Sequence, residues 1–265
     1  MNSVILIPAR YASSRYPGKP LVELKGAGGM PKPLIQRSVE AARRVRGVSG
    51  VFVVTDDERI AEACLPAKVG VIMTSPECRN GTERCAEALP QLHEPDLVIN
   101  LQGDALLTPA SFVEALIARM ESDPDALVAT PAIRLRAREV EALRREEAAG
   151  RVGGTTVVTD NAGRALYFSK RLIPYLPPSA LETELTPMKL HVGVYAYRPA
   201  ALELYRDTPV NELETLEGLE QLRFLAAGVS MAVVEVDPPA FALRELNNPE
   251  DVAPIEEALA AAGLE

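Results

Sequence analysis

Tryptophan is absent from the 265 residues, and histidine and cysteine are nearly so, at two and three. The cysteines (Cys64, Cys78, Cys85) and histidines (His93, His191) show neither a Cys-x-x-Cys pair nor zinc-ligand spacing, which argues against a structural zinc site. The odd cysteine count fits a reducing compartment. No apolar run approaches membrane-spanning length and no charged-then-apolar leader opens the chain, so a cytoplasmic protein without membrane attachment is expected. Positive charge is also in deficit, with 28 Lys and Arg against 37 Asp and Glu and a net charge of −9, which speaks against nonspecific nucleic-acid binding. Two phosphate-binding signatures are missing as well: neither Gly-x-x-x-x-Gly-Lys-Ser/Thr nor Gly-x-Gly-x-x-Gly occurs. Any phosphate chemistry must come from cations gathered locally.

Such a gathering stands at the N-terminus. The apolar run from residue 4 breaks at Pro8 and enters a loop carrying Arg10, Arg15 and Lys19, the hydroxyls of Ser13 and Ser14, and Gly18. A strand feeding such a loop puts backbone N–H groups and positive charge where a polyphosphate can sit. A solvated basic loop is the plainer alternative, disfavoured by three cations within ten residues of an acidic chain.

Short apolar runs alternate with amphipathic segments, the pattern of βα units around a mostly parallel sheet. Strands are expected at 3–8, 51–55, 69–73, 96–101, 127–137, 155–159, 190–197 and 231–236. Helices are expected at 33–46, 57–64, 82–90, 109–121, 137–148, 199–206, 214–227 and 249–263. The length suits one α/β domain. The proline-rich stretch 174–189 reads as a protruding loop, so that 150–200 forms a smaller lobe. Polar residues end the early strands: Arg10, then Thr55-Asp56-Asp57, then Gln102-Gly103-Asp104. Ligands of open α/β sheets gather at the carboxyl ends of strands, so these tips are expected to face one cleft.

Within that cleft, Asp104 suits Mg²⁺ bound to substrate phosphates, the alternative being a turn or helix cap. Gly103 before it permits close backbone approach. Gly81-Thr82-Glu83-Arg84 opens a helix and reads either as a plain cap at Asn80 or Thr82, or as a base-recognition element using Arg84. Arg134 and Arg136, at i and i+2, share one strand face and suit a compact dianion; a solvated edge face is the alternative.

Six motifs together resemble the CMP-Kdo synthetase (3-deoxy-manno-octulosonate cytidylyltransferase) family. They are Pro8-Ala9-Arg10 through Lys19-Pro20-Leu21, Gly81-Thr82-Glu83-Arg84, Asn100-x-Gln102-Gly103-Asp104, Ala165-Leu166-Tyr167-Phe168-Ser169, His191-x-Gly193-x-Tyr195-x-Tyr197-Arg198, and Leu219-Glu220-Gln221-Leu222-Arg223. They run in the family's order over nearly the whole chain. The resemblance implies a Rossmann-like, GT-A-like nucleotidyltransferase fold, CTP as substrate, Mg²⁺ and a homodimer. It implies that Arg10, Arg15 and Lys19 hold the triphosphate, that Arg84 helps read cytosine and that Asp104 ligates Mg²⁺. Gln102, His191, Tyr195, Glu220 and Gln221 would face the acceptor, His191 being equally well a structural histidine. An acceptor oxygen would attack the α-phosphorus of CTP in line as pyrophosphate leaves, with positioning and charge neutralisation carrying catalysis.

The chain departs from the family's pattern at four places. Gln-Gly-Asp-Glu-Pro becomes Gln102-Gly103-Asp104-Ala105-Leu106, and Val-Asp-Thr-Pro-Glu-Asp becomes Leu246-Asn247-Asn248-Pro249-Glu250-Asp251. The latter places Asn247 at the second metal position. Val-Lys-Val-Val becomes Thr155-Thr156-Val157-Val158, and Ser-Arg becomes Ser169-Lys170, a point charge in place of a fork. A sugar hydroxyl needs deprotonation, which two aspartates and a metal supply; either Glu245 substitutes for the lost one, or the acceptor is already ionised. From this we expect CMP transfer to a small acidic acceptor, a phosphonate such as phosphonoformate being preferred narrowly over Kdo itself. A nucleotide-binding regulatory protein that has lost catalysis is the rival from another class.

Overall fold

The computed structural model describes residues 1–265 apart from Ser14, Ala242 and Glu265. Its centre is β1 (Ser3–Ala9), buried along its whole length. Parallel neighbours flank it, β4 (Gly50–Thr55) on one edge and β6 (Leu97–Leu101) on the other, and β5 (Gly70–Met73) pairs parallel beyond β4. A strand buried on both faces must be apolar at every position rather than alternately, and Val-Ile-Leu-Ile in β1 meets that demand. Ile5 and Ile7 pack with α1 (Leu34–Arg43) and α4 (Ala110–Ser122). Val4 and Leu6 point the other way, toward α3 (Gly81–Ala88) and α6 (Pro199–Asp207). In α4 the buried set Phe112, Val113, Leu116, Ile117 and Met120 follows the helical period, each such side chain contributing about 1.5–3 kcal/mol of transfer free energy.

Beyond β6 the sheet turns antiparallel. β11 (Val194–Tyr197) lies between β6 and β7 (Val128–Arg136), and β7 also pairs with β10 (Leu185–His191) and, in parallel, with β12 (Met231–Glu235). Next to β10 come β8 (Thr156–Thr159) and β9 (Ala165–Ser169). The result is the mixed sheet flanked by helices that the sequence led us to expect. The remaining elements are the hairpin β2 (Glu23–Lys25) and β3 (Pro31–Pro33), α2 (Glu58–Ala63), α5 (Ala137–Ala148), α7 (Glu212–Glu217), α8 (Leu222–Ala226) and α9 (Val252–Ala261). No helix among the described residues is long and apolar enough to cross a membrane.

Three details differ from the sequence reading. The expected strand 190–197 is two strands, broken where the Val194 amide turns back onto the Val192 carbonyl at 2.7 Å, so β10 and β11 serve different neighbours. The expected helix 214–227 is also two, because Gly218 adopts a left-handed φ of 59° and ends α7. The segment 150–200, expected as a smaller lobe, contributes β8 to β11 to the main sheet, including a hairpin strand at Ala165–Ser169 and pairing that begins at Leu185. Of these, β9 and the first part of β10 were not expected; in β10 a proline and a lysine interrupt the alternation.

Helix α9 packs on the segments next to Asp104 and Asn247. Ile255 and Leu259 of α9 pack with Leu24, Leu34, Leu106, Leu107 and Leu246, joining the residues that follow Asp104 to those that precede Asn247. We expect Ile255→Ala to cost about 2–5 kcal/mol by cavity formation, measurable as a lowered urea midpoint.

Candidate active site

The tips of β1 and β6 converge as expected, whereas the third tip, Thr55-Asp56-Asp57, is spent on Arg84 and Arg59. At residue 103 a Cβ would stand 2.8 Å from the Pro8 carbonyl oxygen, so only glycine lets the end of β6 lie against the end of β1. Asp104 is thereby delivered beside the loop that follows β1, and its carboxylate pairs with Lys19. The loop is braced from within. The Tyr11 carbonyl accepts from the amides of Ser13 (3.0 Å) and Gly18 (2.9 Å), and Gly18, at φ 73°, sits against the Tyr11 ring. The Arg59 guanidinium stacks on that ring at 3.4 Å and is held by Asp57, which also caps α2. Arg15 donates to the Asn247 Oδ1 at 2.7 Å, and Arg10 to the Arg79 carbonyl at 3.4 Å.

Arg10, Ser13, Arg15, Lys19, Gly81 and Arg84 line a cleft of about 340 Å³, together with Gln102, Asp104 and Glu220. Ser14 lies outside the described residues. The start of α3 is capped by Asn80, whose Oδ1 accepts from the Glu83 amide at 2.8 Å, while Thr82 instead bonds the Tyr197 hydroxyl. Gly81 is hemmed in by Gln102, Asn100 and Pro8 at 3.0–3.2 Å from a would-be Cβ. Arg84 is buried and bound to Asp56 (3.3 Å) and Thr74, so much of its guanidinium ties the tips of β4 and β5 to α3.

A second, larger cleft of about 1020 Å³ opens beside the first and shares Arg15, Arg79, Asn80, Gln102, Asp104 and Glu220 with it. Lys170, His191, Tyr195, Gln221, Glu245 and Asn247 also line it. The break between α7 and α8 is what presents Glu220 and Gln221. Glu220 accepts from the Thr82 amide (3.2 Å) and from Gln102 (3.4 Å), and Gln221 accepts from the Tyr195 hydroxyl (3.2 Å). Lys170 donates its backbone amide to Glu217 and rests its ammonium against Gly218. The half-buried His191 places Nε2 2.9 Å from the Thr130 hydroxyl. That hydroxyl donates to the Val194 carbonyl at 2.8 Å, so it accepts from the histidine. Burial pushes His191 down to about 3, which keeps it neutral and makes it a hydrogen-bonding group rather than a proton acceptor at neutral pH.

Arg134 and Arg136 line neither cleft. Arg134 pairs with Glu235 at 2.6 Å, and Arg136 engages Glu139 in the first turn of α5. Their shared strand face carries local ion pairs, and β7 lies inside the sheet rather than at the solvated edge that the plainer reading supposed. Sequence reasoning passed over Arg79, Asn80 and Glu214, which line the larger cleft. The first two stand directly before the Gly81 motif, and that adjacency was the available signal.

Two carboxyls in the clefts titrate unusually. Burial pushes Glu220 up to about 7. Glu245, exposed as a residue, has a carboxyl that also rises to about 7, through desolvation in the cleft and then the nearby Asp104 carboxylate, with Asn247 hydrogen-bonding it in the opposing sense.

Cations on a glycine-dependent strand tip, with an aspartate at the neighbouring tip and a roomy polar cleft alongside, define a nucleotidyltransferase site. Residues 4–232 match the family model described as "Cytidylyltransferase". The chain belongs to that family, as its resemblance to CMP-Kdo synthetase implied, and is a CTP-dependent cytidylyltransferase. It is 39% identical over 264 residues to the 3-deoxy-manno-octulosonate cytidylyltransferase of Maricaulis maris, covering 99% of both chains. It is 38% identical over 265 residues to the 8-amino-3,8-dideoxy-manno-octulosonate cytidylyltransferase of Shewanella piezotolerans, covering 98% of this chain and 99% of that one. An Arabidopsis thaliana relative, named as mitochondrial, is 39% identical over 252 residues, covering 95% of this chain and 81% of its own. Among solved structures, CMP:2-keto-3-deoxy-manno-octonic acid synthetase complexed with CTP superposes with a TM-score of 0.83 at 35% identity, covering 99% of this chain and 100% of that one.

The raised Glu220 carboxyl has a stability consequence. Between pH 4.5, the ordinary glutamate value, and about 7, the folded chain holds a proton the unfolded chain has lost, so this group subtracts stability as pH rises through that window. Glu220→Gln removes the contribution. Thermal unfolding at pH 5 and pH 8 is expected to show the variant gaining on the native protein at the higher pH, and an equal difference at both would refute the assignment.

Proposed function

We propose that the chain transfers CMP from CTP to a 2-ulosonic acid of the 3-deoxy-manno-octulosonate type, releasing pyrophosphate. The carrying observation is the pair of contiguous clefts that share Arg15, Gln102, Asp104 and Glu220. The smaller has the cations for a triphosphate, and the larger has the volume and mixed polarity for an eight-carbon sugar acid, the substrate named for the full-length relatives. Arg10, Arg15 and Lys19 bind the phosphates, Arg84 borders the base, and Lys170 offers the acceptor carboxylate a counter-charge. His191, Tyr195 and Gln221 offer hydrogen bonds to its hydroxyls. A hydroxyl oxygen of the acceptor forms the new bond to the α-phosphorus as its proton leaves to water, and the bond to the bridging oxygen of pyrophosphate breaks. The chain's part is to hold both partners in line and to neutralise the phosphate charge.

The phosphonate acceptor is not supported. It rested on the four departures, above all the neutral Asn247, and on an already ionised acceptor needing no deprotonation, with Arg134 and Arg136 as a seat for a dianion. The arginines are occupied elsewhere, and the carboxylate lost at 247 has a replacement in Glu245, close enough to Asp104 to be raised by it.

That pair also bears on Mg²⁺. Among the described residues no group of three or more His, Cys, Asp and Glu is placed to hold a metal ion, but Mg²⁺ in nucleotide sites takes one or two carboxylates and completes its shell with phosphates and water. Asp104 and Glu245 meet that requirement, and their mutual repulsion is the kind a cation relieves. In this reading they would hold Mg²⁺, with the Asn247 oxygen given to Arg15. When bound, the ion supplies charge neutralisation at the phosphates. A second copy of the chain is the partner we read for Val152, Leu166, Tyr175 and Leu185, exposed apolar side chains of the segment 150–200.

Pyrophosphate release from CTP and Mg²⁺, followed across Kdo, its 8-amino analogue and phosphonoformate, tests the reading. Turnover with an ulosonic acid and none with phosphonoformate is expected; the reverse result sinks it. In the same assay Lys19→Ala is expected to raise the CTP KM or lower kcat by about tenfold to a thousandfold, through a lost charge-assisted phosphate contact.

A further inference from the structure

One buried guanidinium joins the two clefts without lining either. Arg223, on α8, is 1% exposed. Its Nη2 lies 2.9 Å from Glu83 Oε1 on α3, and the same nitrogen with Nε grips the Glu214 carboxylate on α7 at 2.6 and 2.8 Å. The plane stacks 4.0 Å from the centre of the Tyr205 ring on α6. The Tyr205 hydroxyl accepts from Asn80 at 3.0 Å and donates to the Glu220 carbonyl at 3.2 Å. Four helices therefore meet at a single side chain.

Its position relative to Glu220 and Gln221 gives this arrangement its meaning. These two residues reach the cleft from the short link Leu219-Glu220-Gln221 between α7 and α8. Arg223 binds both ends of that link, Glu214 on one side and its own helix on the other, and ties the assembly to Glu83 at the start of α3. Glu83 is in turn paired with Arg79, which lines both clefts. Burying such a network is a poor way to gain stability, since well-packed apolar residues would serve as well. A planar fork with two carboxylates on it does something apolar packing cannot, which is to set direction and register.

We propose that Arg223 is a positioning residue that fastens the acceptor wall to the nucleotide-binding helix, so that CTP binding at α3 orders residues 212–226. Naming that wall the acceptor's and α3 the nucleotide's rests on the proposed function, whereas the mechanical link does not. Lysine at 223 keeps the charge but can satisfy only part of the fork. Glutamine at 83 keeps an acceptor oxygen but removes its charge.

The test uses the full chain, native and as Arg223→Lys and Glu83→Gln. Hydrogen exchange is followed by mass spectrometry with and without CTP and Mg²⁺, alongside steady-state kinetics with Kdo. In the native protein CTP is expected to slow exchange across both 81–88 and 212–226. In the variants slowing at 81–88 persists, while slowing at 212–226 falls by about fivefold or more, the signature of a local opening no longer coupled to the ligand. The KM for Kdo is expected to rise about tenfold with the CTP KM changed less than about threefold, a split that general destabilisation does not produce. Should Arg223→Lys fail to fold, Glu83→Gln carries the comparison. Variants that keep the native protection at 212–226, or a native protein that shows none, would overturn the inference. A native protein that binds CTP but does not turn over Kdo removes the acceptor assignment alone, because the exchange experiment needs no acceptor.

Discussion

The close approach of two strand ends governs this site. With Gly103 against the Pro8 carbonyl, the end of β6 can follow the end of β1, and Asp104 comes within reach of Lys19. A methyl group there would push the tips apart and separate the carboxylate from the loop cations. The loop adds its own bracing, since the Tyr11 carbonyl and ring hold both of its ends and Arg59 holds the ring. An acidic chain thus concentrates a few cations at one strand tip and fixes them in place, the condition under which electrostatic stabilisation needs little reorganisation.

The larger cleft is built on breaks in regular structure. Gly218 ends α7, and the turn at Val192 divides β10 from β11. Each interruption replaces a continuous element by two whose junction carries polar side chains: Glu220 and Gln221 at the first, His191 and Tyr195 flanking the second. Because both junctions open on the same space, polar side chains from distant parts of the chain line one cleft with Arg15 and Asp104. Desolvation then tunes them, keeping His191 neutral and raising the Glu220 and Glu245 carboxyls into the physiological range.

Position 247 reads differently along the chain and in space. Read along the chain, an amide where relatives carry a carboxylate suggested a change of chemistry. In space Asn247 is a partner of Arg15, and a carboxyl two residues earlier is the one that senses Asp104.

Much was legible in the residues alone. The continuous apolar run of β1, the cations after it and the glycine before Asp104 pointed to a phosphate-binding cleft at the carboxyl edge of a sheet, because strand burial, charge and backbone freedom are local properties. The order of motifs carried the family. Other features depended on tertiary structure. The arginines of β7 turned out to be spent on Glu235 and Glu139, the single helix expected at 214–227 was divided, and Arg223 emerged as the join between four helices. Each turns on which partner a charged or flexible group finds across long stretches of chain, and that choice is made by packing and desolvation, which no local pattern encodes.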